Sequence, residues 1–98
     1  MITQEIVDEF KSRMHLDSEE DSNLRFILES SYEALREDCG EYEITHKRFK
    51  GLVFERARYV YNDALEYFAD NFLTEITNLS INKALESISV DGETDAAL

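Results

Sequence analysis

The feature that most constrains this chain is the stretch from Phe49 to Leu79, which holds most of its large apolar residues with one glycine, Gly51, and no proline. Phe49, Val53, Ala57, Val60, Ala64, Phe68, Phe72, Ile76 and Leu79 recur at steps of three and four, the spacing that puts side chains on one face of a helix. Phe54, Tyr61 and Leu65 widen that face, so more than one partner helix is needed to cover it. Asn71 and Glu75 would interrupt the face if the period ran on unbroken. The spacing therefore predicts a kink or a new helix start near Asp70 and Asn71, either of which can cap one. Leu52 and Tyr59, seven apart, fall on the opposite side among Glu55, Asn62 and Glu66. They read either as isolated exposed apolar side chains, which are ordinary, or as a second contact surface for another subunit.

The rest of the chain predicts the partners of that stretch. Thr3 reads as the cap of a first helix ending near His15, with Ile6, Val7, Phe10 and Met14 on one face. Asp17 and Glu20 read as a capping pair for a second helix. Leu24, Ile27, Leu28, Ser31, Tyr32, Leu35 and Cys39 form the inner face of that helix, and Gly40 closes it in a left-handed conformation. Its outer face, with Arg25, Glu29, Glu33, Arg36 and Glu37, reads as solvated. Tyr42 and Ile44 read as a lid on the core, and Thr45 as the cap of the third helix. After Ser80, the residues Ile81, Ala84, Leu85 and Ile88 again have helical spacing. The expectation is an all-α fold: a small bundle of three main helices, a C-terminal helical segment and a flexible tail, with a single domain over 1–88 and the tail over 89–98.

Composition narrows function mainly by exclusion. Ninety-eight residues suffice for one core. A formal net charge of −12 opposes binding to a nucleic-acid backbone, so sequence-specific DNA binding is not expected. One cysteine, Cys39, cannot form an intramolecular disulfide, and its place in the second helix marks it as a small buried hydrophobe. No apolar run is long enough for a membrane span and no signal-peptide pattern opens the chain, so a cytosolic product is expected. The alternation of Asp17, Glu19, Asp21 and Asn23 imitates a calcium loop. Ser22 stands where that loop needs glycine, however, and Leu28 where it needs glutamate. With no nucleotide loop, paired cysteines or histidine cluster, neither an enzyme nor a bound cofactor or metal is expected.

Half of the ten Lys and Arg residues lie between positions 47 and 58: Lys47, Arg48, Lys50, Arg56 and Arg58. Cations in the first turn of a helix oppose its dipole unless an anion faces them. Carboxylates of the second helix or of an adjacent subunit are the expected anions, and a phosphate ligand lacks the glycine-rich cradle that usually accompanies one.

Three segments carry a family resemblance: Met1-Ile2-Thr3 through Phe10, Asp17 through Tyr32, and above all Arg56-Ala57-Arg58-Tyr59-Val60-Tyr61-Asn62-Asp63-Ala64-Leu65-Glu66-Tyr67-Phe68. With Asn71-Phe72-Leu73 and Ile76 to Leu85, they resemble the head-tail connector (adaptor, or head completion) proteins of long-tailed bacteriophages. The likeness is one of helix order and aromatic placement, and it covers most of the chain. It implies a virion protein made in the host bacterial cytoplasm. Its copies would form a ring of about a dozen beneath the capsid portal, contact a tail or stopper protein, and let DNA pass. On that reading Leu52, Tyr59, Arg56, Arg58, Lys47 and Arg48 are the expected subunit interface. The segment with Ser89, Val90 and Leu98 is the expected contact with the portal. The competing expectation is an acidic nucleic-acid mimic that inhibits a DNA-binding protein.

Overall fold

Thr3 does start the first helix: its Oγ1 accepts the Ile6 N–H at 3.3 Å. In the computed structural model, which describes residues 2–17 and 19–91, five α-helices follow in order. They are α1 (Gln4–Met14), α2 (Asp21–Cys39), α3 (Lys47–Tyr61), α4 (Phe68–Asn71) and α5 (Leu73–Asp91), with a turn of 3-10 helix, Leu65–Tyr67, before α4. The fold is all-α, as expected. α1 stops at His15, whose left-handed backbone (φ 55°, ψ 41°) lets its own N–H and that of Leu16 reach carbonyls of the last turn.

The hub is α2 rather than the long apolar stretch, because α1, α3 and α5 all pack on it. Leu24, Leu28, Ser31 and Leu35 of α2 meet Phe49, Val53 and Ala57 of α3 and Val7 and Phe10 of α1 in one core. Tyr42 and Ile44 lie over this core, as expected of a lid. The Tyr42 ring stacks on Phe49 at 5.3 Å, and its hydroxyl donates to the Leu79 carbonyl at 2.7 Å, which ties the loop to α5.

Several local expectations are corrected. Glu20, not Asp17, occupies the N-cap of α2, and its Oε1 accepts Asn23 Nδ2 at 3.3 Å rather than a backbone N–H of the first turn. Instead Asp21, in the first turn, receives Lys11 Nζ at 2.8 Å and Gln4 Nε2 at 2.9 Å from α1. The Lys11 bond holds the Asp21 carboxyl below its usual range and raises the Lys11 ammonium. His46 rather than Thr45 caps α3, its Nδ1 accepting the Phe49 N–H at 3.3 Å. Gly40 has positive φ but an extended ψ (112°, 173°), a region almost confined to glycine, rather than the left-handed helical one.

The apolar stretch breaks twice. A break close to the expected place falls at Phe72, between α4 and α5, but Asp70 and Asn71 lie inside α4 and neither caps the new helix. An earlier one, at Asn62–Ala64 with Asp63 at φ 58°, turns the chain back on α3. Ser80 starts no new helix, because α5 already runs through it. α5 also continues three residues beyond the expected domain end at 88, so Ser89 and Val90 are helical. Leu98 and the rest of the expected tail lie outside the described residues.

Candidate assembly surfaces

The structure does not leave Leu52 and Tyr59 as the exposed apolar pair they were expected to be. Leu52 is 4 % exposed, enclosed in the core. Tyr59 is half-buried because α4 folds back onto it. Its ring meets Phe68 at 5.8 Å and Phe72 at 5.7 Å edge to face, and its hydroxyl accepts Asn71 Nδ2 at 3.0 Å. The hairpin covers Tyr59, whereas Leu52 lies within the core cluster itself. As a pair they offer another subunit no apolar face.

The cations of the same expected surface part company. Arg56 turns inward to α2, where its Nη1 donates to Ser31 Oγ at 3.1 Å, and burial lowers its pKa. Arg58 pairs with Glu55 of its own helix at 2.6 Å and lies over the Tyr59 ring. The first-turn cation Lys50 finds its anion on α1, Glu9 at 2.9 Å, rather than on α2. Lys47 and Arg48 are exposed and form no ion pair among the described residues.

Among the described residues the longest run of exposed apolar side chains lies instead on α5, with Phe26, Leu65 and Tyr67 exposed elsewhere. One side of this helix is anchored: Leu79 is buried, Ile76 packs on the core, and Lys83 Nζ lies 4.3 Å from the centre of the Tyr42 ring. Leu73, Ile81, Leu85 and Ile88 are 60 %, 51 %, 52 % and 54 % exposed. By the helical repeat these four form a single ridge with Thr77 and Ala84, and Glu75, Lys83 and Glu86 fall on the far side. Lys83 and Glu86 pair with each other at 3.4 Å. The result is an apolar ridge free of charged side chains on a chain of net charge −12. The sequence carried its signal, since between Leu73 and Ile88 apolar residues occupy two sides of the helix while the charges share one.

A second surface lies between α1 and α3. Phe10 and Phe54 meet edge to face at 5.4 Å, and with Met14 they line a groove beside Gly51. Arg13 lies over the Phe54 ring at 5.4 Å and pairs with Glu9 at 3.0 Å. Arg58 and Glu55 form the opposite rim. Gly51 is helical without positive φ, and a Cβ placed on it would meet nothing within 4 Å. No packing inside the chain calls for glycine there.

The described residues contain no cluster of His, Cys, Asp and Glu able to hold a metal, and no described helix is long and apolar enough to cross a membrane. Cys39 is 2 % exposed, and burial pushes its thiol up to about 11. In comparison with known proteins the chain matches no family model, no curated protein and no solved structure.

Proposed function

We propose that this chain is a structural virion subunit, a head-tail connector whose copies assemble into a ring between capsid portal and tail and leave a channel for DNA. Its work is mechanical joining, without catalysis or a bound cofactor. The observation that carries the reading is the α5 ridge: apolar, uncharged, half-exposed over about four turns and unmatched by anything among the described residues. A helix face of this kind gains stability only when another surface covers it. The net charge of −12 supports the same role, because an acidic channel wall does not retain passing DNA. The order of helices and aromatics that resembles connector proteins supplies the setting.

The mimic reading rests on the same net charge of −12 and has no further observation behind it. Co-expression with a portal protein encoded in the same genome tests the proposal, read by sedimentation and negative-stain microscopy. Ring-shaped particles seated on the portal are expected. A chain that ignores the portal, or that displaces DNA from a DNA-binding protein in a salt-sensitive way, overturns the reading.

A further inference from the structure

We propose that the α5 ridge of one copy packs into the α1/α3 groove of the next, with Leu85 over Gly51, so that each subunit offers a ridge on one side and a groove on another. The inference rests on the assembly reading and names its contact. A closed ring needs two different surfaces per subunit, since a patch that pairs with its own copy stops at a dimer.

Three observations select this pairing. Gly51 sits inside α3, where glycine is destabilising relative to alanine, without a backbone or packing reason inside the chain. Such a position is explained by close approach of something from outside. The groove is apolar at its floor, and its rim charges are already paired, Arg13 with Glu9 and Arg58 with Glu55. Lys50 shares Glu9 with Arg13, so three cations face two carboxylates there and the patch carries none of the chain's excess negative charge; the ridge is uncharged. Two copies each carrying −12 meet with least repulsion where neither face is acidic. The third observation is size. The four half-exposed side chains of the ridge present roughly 400 Å² of apolar surface, so mating with a groove buries roughly 800 to 1,000 Å² in total. That is small for a stable dimer and suits a contact repeated around a ring, in which every subunit makes two.

Cross-linking tests the pairing directly, with little background from the buried Cys39. Gly51→Cys and Leu85→Cys chains are prepared separately and oxidised alone and mixed. A disulfide-linked dimer is expected only in the mixture. Linkage of Leu85→Cys with itself would indicate symmetric pairing of α5 helices and overturn the proposal, as would no linkage in any sample.

Gly51→Leu supplies a second readout. Leucine is a strong helix former and has room at this site, so the unfolding midpoint of the monomer is expected to rise by about 4 °C. Association is expected to fall at least tenfold, because the groove is filled. Leu85→Glu is expected to weaken association similarly without lowering the midpoint. If the unaltered chain assembles and these variants assemble equally well, the pairing is wrong while the assembly reading stands. If the unaltered chain never associates, both fail.

Discussion

Leu52 and Leu85 are the same residue type on helices of the same chain, and their surroundings give them opposite roles. Leu52 is enclosed in the core, so Leu52→Ala leaves a cavity and is expected to lower stability by about 3 kcal/mol. Leu85→Ala removes a side chain that the monomer leaves half-exposed, and is expected to change stability by less than about 0.5 kcal/mol. Urea unfolding checks both: the midpoint should move for Leu52→Ala alone, with an unchanged slope. Cys39 gives a second residue-level prediction. The folded chain holds its thiol proton up to about 11, against 9.0 for an unstrained thiol. Between these values the folded state binds more protons than the unfolded one. The stabilising contribution is thus complete below pH 9 and is lost as pH rises toward 11. Burial raises the Tyr42 hydroxyl as well, which acts in the same direction. A Cys39→Ala chain should show a shallower loss of stability over that window, measured by urea unfolding at fixed pH values.

At the scale of elements, the junction of α2 and α5 depends on one glycine. Gly40 has φ 112° and ψ 173°, and a Cβ there would lie 2.5 Å from Lys83 Cγ. Gly40→Ala is thus both strained and crowded, and a loss of about 2 kcal/mol is expected. The loss should be local: hydrogen exchange should quicken in α5 around Leu79 to Lys83, where the Tyr42 hydroxyl holds the helix, more than in α3. Much at this scale was legible in the sequence. Apolar spacing located α1, α2 and the inner face of α3; Thr3, His15 and Gly40 marked real helix ends; and Asn71 and Glu75 signalled a break. The reversal at Asn62–Ala64 was not legible, because Asn62, Asp63 and Ala64 are all compatible with a continuing helix. Its cause is tertiary: the Phe68 and Phe72 rings, stacked at 5.1 Å, pack on Tyr59 once the chain turns back. Missing that turn left Tyr59 on an open side that α4 covers, and Leu52, assigned to the same side, belongs to the core. The ridge of Ile81, Leu85 and Ile88 was read only as another helical face.

For the whole molecule the deciding quantity is the balance between a neutral apolar contact and the repulsion of two acidic bodies. The molecule is elongated, 55 × 27 × 18 Å, and in the proposed pairing this shape would hold like charges apart while one narrow face makes contact. Near the groove, Arg58 is already committed to Glu55, and Arg13 and Lys50 to Glu9, so local attraction between copies is left to Lys47 and Arg48, about one turn before Gly51. The long-range term is repulsive, with −12 on each copy. Raising salt from 50 to 500 mM shortens the screening length from roughly 14 to roughly 4 Å, which removes most of that repulsion and leaves apolar burial nearly untouched. Association between copies is therefore expected to strengthen over that range, by about tenfold or less, as measured by sedimentation equilibrium. A chain that worked by imitating nucleic acid would respond in the opposite sense. Its binding would rest on charge attraction to a basic partner and would collapse by orders of magnitude over the same range. Weakening of self-association with added salt would mean that paired charges, rather than the uncharged face of α5, hold the copies together.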